Sequence, residues 1–216
     1  MADALQPLVI VGASGFGREV ACLVEDINAI QPKWNLLGLV DDNLKNDTIE
    51  GFNILGTVKD IYLMEPRPMI VVAIADPPTK KRLAESFKAD GFKFATLIHP
   101  TVSIGKKVTI GEGTIICRNT LFTTNIDIGE HCIINVNCSF GHDTKVEDYV
   151  SIMSHTAIAG DVLVGSGCYF GLNCTVINKI SLGEWSTYGA GTVVVRNMPT
   201  KIVAVGSPAK IIRSKE

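Results

Sequence analysis

The fold is decided by residues 104–194, which read IGKKVTIGEGTIICRNTLFTTNIDIGEHCIINVNCSFGHDTKVEDYVSIMSHTAIAGDVLVGSGCYFGLNCTVINKISLGEWSTYGAGTVV. Every sixth residue of this stretch is apolar, without exception. Because only about half of the residues in a typical protein are apolar, so long a series lies far outside chance. The anchor positions are Ile104, Ile110, Ile116, Phe122, Ile128, Ile134, Phe140, Val146, Ile152, Ile158, Val164, Phe170, Val176, Leu182, Tyr188 and Val194.

The columns beside the anchors follow the same period. Glycine often comes directly after the anchor, and a small or β-branched residue often stands two positions before it. A hexad of this kind is typical of a β-helix, in which each hexad is a short strand and a corner. We expect the anchor to fill the interior, the glycine to permit a tight corner, and stacked coils to share one core. A period of six excludes an α-helix. The glycines of this column are Gly105, Gly111, Gly129, Gly141, Gly165, Gly171, Gly183 and Gly189.

The part of the chain before the hexads is different, because strand and helix patterns alternate there. Helical patterns follow the first and third predicted strands, one through Val20, Leu23 and Val24 and one through Leu83 and Phe87. This alternation predicts a small parallel sheet of Rossmann type in residues 1–98, followed by an all-β helix with a C-terminal tail in residues 99–216. The predicted strands span residues 7–11, 36–40, 69–75 and 92–98.

A glycine cluster, GASGFG at residues 12–17, follows the first predicted strand. Its pattern is GxxGxG and not the GxGxxG of dinucleotide sites, and a tight turn before a helix would explain it equally well. A loop of this kind can also present backbone N–H groups to an anion. Asp41 and Asp42 end the second strand, where carboxylates can bind a ribose or a base. A mononucleotide or a nucleotide-sugar is favoured over NAD, since no second half of a Rossmann fold follows.

Composition excludes several classes of protein. The 216 residues carry a formal charge of −2, and no basic tract suggests nucleic acid as a partner. No apolar run approaches the roughly 20 residues that span a bilayer. The first residues lack a secretory signal pattern, so we expect a cytoplasmic protein.

The cysteines and histidines show no metal-ligand spacing, so the sequence predicts no metal site. Four of the six cysteines fall in the small-residue column of the hexads, and we expect them to be reduced, buried fillers. His131 follows Glu130 at a corner and is expected to be solvated. His155 is expected on a different face from His142. The four column cysteines are Cys132, Cys138, Cys168 and Cys174.

His142 and Asp143 form the best candidate for catalysis. Histidine is suited to general base work near neutral pH, and an adjacent carboxylate can fix its tautomer. If the β-helix has three faces, a coil has 18 residues and Gly160 stacks on His142. The Gly160 N–H could then support a developing oxyanion. The alternative is that the pair is a solvated corner with no role.

The motifs GASGFG, LVDD, LIHP, GHDTKVEDY, GAGTVV and VGSPAK, together with the hexads, resemble a known family over residues 8–212. These are the bacterial sugar O/N-acyltransferases grouped with sialic acid O-acetyltransferases. The chain is most similar to their N-acetyltransferases of nucleotide-linked 4-amino-4,6-dideoxy sugars. The resemblance implies a Rossmann-like N-domain, a left-handed parallel β-helix and a homotrimer with active sites between subunits.

The resemblance also implies residue roles. His142 would be the general base, Asp143 its partner, Gly160 the oxyanion donor and Asn135 a neighbour of the sugar. Phe16 and Ser151 depart from the pattern, because some relatives have histidine there. The implied acetyl-CoA contacts are Ser151, Gly160, Leu172, Ala190, Gly206 and Pro208. The implied contacts to the nucleotide-sugar are Ser14, Gly15, Phe16, Asp41, Asp42 and Ala75.

The expected function is therefore acetyl-CoA-dependent N-acetylation of a nucleotide-linked amino sugar, by direct transfer, for a bacterial surface glycan or glycoprotein. UDP is favoured as the nucleotide, with GDP and dTDP as alternatives. Two other functions stay open: a sugar O-acetyltransferase of the sialic acid type, and a non-catalytic β-helix that binds nucleotide-sugars.

Overall fold

The structure, a computed structural model, describes residues 4–43 and 46–215. Residues 1–3, on which part of the signal-peptide prediction rests, lie outside the described residues, as does Glu216 at the end of the predicted tail. Among the helices that the structure describes, none is both long enough and apolar enough to cross a membrane.

The N-terminal unit is the predicted small α/β sheet. Its three strands are parallel in the order β2 (Trp34–Val40), β1 (Gln6–Val11) and β5 (Met69–Val72). The apolar strand β1 is central and buried, as expected for a parallel strand covered on both faces. Helix α2 (Pro77–Ala89) begins where it does because Asp76 accepts a hydrogen bond from the Thr79 N–H at 3.0 Å and proline follows at the first helical position. The elements are β1 (Gln6–Val11), α1 (Gly15–Ile30), β2 (Trp34–Val40), β3 (Thr48–Ile49), β4 (Phe52–Asn53), a 3-10 helix (Val58–Leu63), β5 (Met69–Val72) and α2 (Pro77–Ala89).

Two predictions for this unit are wrong. The fourth strand, predicted over residues 92–98, does not form as one piece: Phe94 makes a single bridge to Ile70, and β6 (Leu97–Ile98) pairs with residues 115–116 of the β-helix instead. The apolar residues 92–98 therefore pair first with the sheet of the N-terminal unit and then with face 3 of the β-helix, residues 97–98 and 115–116 being its first pair. The third strand ends at Val72, because residues 73–76 form the loop that leads into α2.

The hexads form a parallel β-helix with three faces, which confirms the predicted left-handed β-helix fold. Partners in neighbouring coils are 18 residues apart, as in the pair Phe122 and Phe140. Face 1 consists of β7 (Ser103–Ile104), β10 (Leu121–Phe122), β13 (Ser139–Phe140), β16 (Ala157–Ile158), β19 (Thr175–Val176) and β22 (Val193–Val194). Face 2 consists of β8 (Val108–Ile110), β11 (Ile126–Ile128), β14 (Lys145–Val146), β17 (Leu163–Val164) and β20 (Ser181–Leu182). Face 3 consists of β6, β9 (Ile115–Ile116), β12 (Ile133–Ile134), β15 (Ser151–Ile152), β18 (Tyr169–Phe170), β21 (Thr187–Tyr188), β23 (Ile202–Val205) and the antiparallel β24 (Lys210–Ser214).

The anchors fill the prism as predicted. Aromatic anchors stack from coil to coil, with ring centroids 4.8 Å apart for Phe170 and Tyr188. Only the first coil is open, where Ile104 is exposed. The cysteines of the small-residue column are free and buried, as predicted. Cys117 is also free and buried, and Cys22 is exposed on α1.

The glycine column has a different cause from the predicted one. The left-handed backbone positions fall three residues after the anchor, as at Asp143 with φ of 60°, and not at the glycines of this column. These glycines are needed because neighbouring coils approach closely. A Cβ on Gly141 would lie 2.3 Å from the Gly160 nitrogen.

The N-terminal unit packs on the outside of face 3. One continuous core joins Leu8 and Val24 of the N-terminal unit to Ile115 and Ile133 of face 3. The division at residues 98 and 99 stays a prediction, since β6 already belongs to face 3.

Candidate active site

His142 and Asp143 lie at the corner between faces 1 and 2, which we call the transfer edge together with Gly160. The His142 Nδ1 and Asp143 Oδ2 atoms are 2.7 Å apart. Both side chains are more than half exposed. The left-handed backbone at Asp143 suits an aspartate and places its side chain back toward the imidazole.

Asn125 holds Asp143 from one coil below. Its Nδ2 donates to Asp143 Oδ1 at 2.6 Å. This hydrogen bond lowers the pKa of the Asp143 carboxyl below its ordinary value, and the contact with His142 lowers it further by a smaller amount. An ionised Asp143 accepts from Nδ1–H of His142, so that Nε2 is the ring atom free to take a proton. The sequence interpretation missed Asn125, although the 18-residue spacing from Asp143 could have found it.

Gly160 stacks on His142, as the spacing predicts. A Cβ on Gly160 would lie 2.7 Å from His142 Nε2, so the imidazole rests against the bare Cα. The next residue, Asp161, donates its N–H to the His142 carbonyl at 2.7 Å. Among the described residues, no acceptor takes the Gly160 N–H. The geometry therefore offers a base and a free backbone donor at one edge, while their roles remain proposals.

Most of the other candidate residues of the β-helix lie at a second corner, between faces 3 and 1. Leu172, which is 52% exposed, and Ala190 stack there one coil apart, and Gly206 and Pro208 continue the same corner at the top of the β-helix. Asn135 borders a cavity of about 610 Å³ beside α1, together with Leu172. In one chain these residues are separated from the transfer edge by the width of face 1.

Ser151 does not fit its expected role. It lies in β15 beneath α2 and is fully buried, and its Oγ accepts a hydrogen bond from Lys80 Nζ at 2.7 Å. The expectation that this side chain contacts acetyl-CoA is therefore corrected, because it faces the N-terminal unit and not a groove.

The candidate contacts to the nucleotide-sugar lie on loops at the carboxyl ends of the sheet strands. We call these loops, residues 12–16, 41–43 and 73–76, the crevice. Ser14 and Gly15 are exposed, and Phe16 and Ala75 are half-buried. Asp41 also supports the crevice, since Oδ2 accepts from the Ala13 N–H at 3.0 Å and Oδ1 from the Asn43 N–H at 2.9 Å. Asp42 accepts from the Val58 N–H. Ligands of open parallel sheets bind at this end of the strands.

His131 and His155 both lie away from the transfer edge. His131 is 1% exposed, so its predicted solvation is wrong. It lies between the rings of Phe94 and Tyr149, and burial lowers the pKa of its imidazole. His155 lies at the second corner and is exposed, which confirms that it is not on the face of His142.

The position of the N-terminal unit has a consequence for the site. It covers face 3, whereas the transfer edge is the corner opposite that face. The crevice and His142 of the same chain are thus on opposite sides of the prism.

Comparisons with known proteins find similarity to the N-terminal unit alone and to nearly the whole chain. Residues 7–87 match the family described as the PglD N-terminal domain. GDP-perosamine N-acetyltransferase of Escherichia coli O157:H7 is 28% identical over 209 residues, which cover 93% of this chain and 94% of that protein.

Several solved structures are also similar to this chain over nearly its whole length. Perosamine N-acetyltransferase from Caulobacter crescentus, a histidine variant in complex with CoA and GDP-perosamine, has a TM-score of 0.88 at 26% identity and covers 98% of this chain and 99% of that one. WeeI from Acinetobacter baumannii has a TM-score of 0.86 at 26% identity, covering 96% and 100%. The acetyltransferase domain of PglB from Neisseria gonorrhoeae, at 24% identity and a TM-score of 0.90, covers 96% and 100% and supports the fold alone.

Proposed function

We propose that this chain, a homologue of the nucleotide-sugar N-acetyltransferases of the hexapeptide-repeat family, transfers the acetyl group of acetyl-CoA to the amine of a nucleotide-linked amino sugar. The observation that carries the proposal is the transfer edge. It holds a histidine oriented by a carboxylate and a free Nε2. The Cα of Gly160 packs against the imidazole ring, and among the described residues no acceptor takes the Gly160 N–H. The similarity to GDP-perosamine N-acetyltransferase along nearly the whole chain supports the same reaction.

In the proposed reaction the sugar amine attacks the thioester carbonyl directly. His142 Nε2 takes the proton that the amine loses as the new C–N bond forms. The Gly160 N–H stabilises the oxyanion. The C–S bond then breaks, CoA leaves as its thiolate, and this thiolate takes the proton that His142 holds, which returns His142 to its neutral form. An acyl-enzyme is not needed, because the amine attacks the thioester itself. Burial also raises the pKa of β-helix thiols such as Cys138 and Cys174, which disfavours the nucleophilic thiolate.

The second corner suits acetyl-CoA. Leu172 and Ala190 leave an exposed apolar strip along the coils, to which a pantetheine chain can bind. The loop after β23 lies at the end of this strip, since the Gly206 carbonyl accepts from the Val193 N–H at 3.0 Å. Gly206 and Pro208 are exposed there and are proposed to contact the far end of the co-substrate.

The crevice is proposed to hold the nucleotide. The exposed Ser14 and Gly15 lie at the start of α1, where backbone N–H groups favour a diphosphate. GDP is the first nucleotide to test, since relatives named for GDP-perosamine are similar over the whole chain. UDP, which the sequence favoured, is the second.

The two corners can form one site only if two chains meet. The transfer edge of one chain would face the second corner and the crevice of its neighbour, in a closed homotrimer. This arrangement would bring Asn135 of one chain to His142 of the next.

Thiol release from acetyl-CoA tests the proposal. We expect release with at least one of the GDP-, UDP- and dTDP-linked 4-amino sugars, and a product heavier by one acetyl group on nitrogen. The matched 4-hydroxy sugars serve as controls. Release with these alone would support an O-acetyltransferase, and no release with any sugar would contradict the proposal.

A further inference from the structure

Lys80 is a lysine with no exposed surface. It lies in the first turn of α2, and its Nζ donates to Ser151 Oγ at 2.7 Å and to the Val150 carbonyl at 3.2 Å. Lysine is almost never fully buried without an acidic partner, yet no carboxylate among the described residues lies within ion-pair distance of Lys80 Nζ. Burying an amine without an ion-pair partner costs desolvation free energy, so we infer that Lys80 has a role that offsets this cost.

Lys80 connects the crevice to the β-helix. Its backbone N–H donates to the Asp76 carbonyl at 2.9 Å, and Asp76 is the N-cap of α2. Residues 73–76 in turn form one wall of the crevice, where a Cβ on Gly12 would be only 3.1 Å from the Ala73 carbonyl. A short path of hydrogen bonds therefore runs from the crevice wall through Lys80 to β15.

The surroundings of Lys80 favour a neutral amine. Burial lowers its pKa from 10.5 to about 7, while Cys132 and Asp76 oppose this shift weakly. The imidazole of His131, from the corner before β12, is the other titratable group that interacts with it. A neutral amine has two N–H groups, which match the two neutral oxygens that accept from it.

We propose that Lys80 is a positioning residue that fixes the crevice against the β-helix, so that the sugar amine is delivered at the correct distance to the transfer edge of the neighbouring chain. This inference rests on the proposed function. It predicts that loss of Lys80 affects the rate of transfer more than the binding of nucleotide, because the crevice itself stays intact.

The test compares Lys80→Met with Lys88→Met. Lys88 lies on the same helix and also reaches the β-helix, through an ion pair with Glu130 at 2.9 Å, but it is 56% exposed. For Lys80→Met we expect kcat to fall by about 10- to 100-fold, as for small misplacements of a reacting group, with the Kd for GDP or UDP unchanged. For Lys88→Met we expect no change in either quantity, since exposed ion pairs contribute little. An unchanged kcat in Lys80→Met, or a loss confined to Kd, would overturn the proposal.

A second readout does not depend on activity. Between about pH 7 and pH 10.5 the unfolded lysine binds a proton that the folded Lys80 does not, so the free energy of unfolding of the wild type should rise with pH relative to Lys80→Met. Below pH 7 the difference should be constant. If the difference in the free energy of unfolding between the wild type and Lys80→Met does not vary with pH, the Lys80 amine is not held neutral in the folded protein. This outcome would count against the proposal even if acetyl transfer were absent. If Lys80→Met does not fold, Ser151→Ala removes one acceptor only and should lower kcat in the same direction; a normal kcat there would also count against the proposal.

Discussion

At the scale of single residues, the transfer edge follows from one number, the 18-residue coil. That spacing predicts that Gly160 stacks on His142, and the structure confirms the stack. Asn125 was missed because an amide beside a carboxylate forms no motif along the chain. Ser151 was misplaced because its role was implied by the family resemblance alone. Neither that resemblance nor the hexad period tells which element covers face 3 at Ser151.

Asn125 sets the ionisation of Asp143. In Asn125→Gly, which removes the amide and still permits the left-handed backbone at φ of 55°, we expect the pKa of Asp143 to rise. The carboxylate would then be protonated at a higher pH, so the titration profile of the Asp143 carboxyl, followed by NMR, should move to higher pH in the variant. An identical profile in the variant and the wild type would show that Asn125 does not support the base.

Gly160 is expected to tolerate no side chain. In Gly160→Ala the new Cβ would collide with His142 Nε2, so kcat should fall by at least about 10-fold through misplacement of the base. The control is Asn178→Ala, one coil above in the same column, where an exposed side chain already exists and no loss is expected. Equal activity of Gly160→Ala and the control would rule out the stacked geometry as a requirement.

At the scale of elements, the β-helix was predictable because every coil repeats the same solution, so each hexad confirms the next. The α/β unit was less so. Residues 92–98 read as one apolar strand, yet Phe94 pairs with β5 and Leu97 with β9, since the same pattern satisfies either core. The short hairpin of β3 and β4 carries no strong pattern and was not foreseen.

The aromatic anchors should dominate the stability of the prism. Phe170 is fully buried and stacks on Tyr188, so Phe170→Ala should lower the free energy of unfolding by about 3–5 kcal/mol. Chemical denaturation at fixed protein concentration measures the change, and Phe170→Leu should lose less. A loss below about 1 kcal/mol would mean that the coils can close over the gap.

At the scale of the whole molecule, the candidate residues of the β-helix fall mainly at two corners with face 1 between them, and the N-terminal unit that carries the crevice lies over face 3. Sequence spacing gives the corner of each residue within one chain. Sequence spacing does not predict which corner contacts a neighbouring chain, because contacts between copies of the chain leave no period in the sequence. The proposed trimer accounts for the separation, since a site shared by two chains needs one half on each corner.

Complementation between inactive chains tests this central claim. His142→Ala should lose a factor of about 10² to 10⁴ in kcat as a general base variant. Leu172→Glu should block the proposed acetyl-CoA strip with a charge at a position that is already exposed. Each variant alone lacks one half of every site. Trimers co-expressed from equal amounts of the two should recover about a quarter of the wild-type sites, because a site combines halves of neighbouring chains. Mixed trimers no more active than either parent would contradict a site built from two chains.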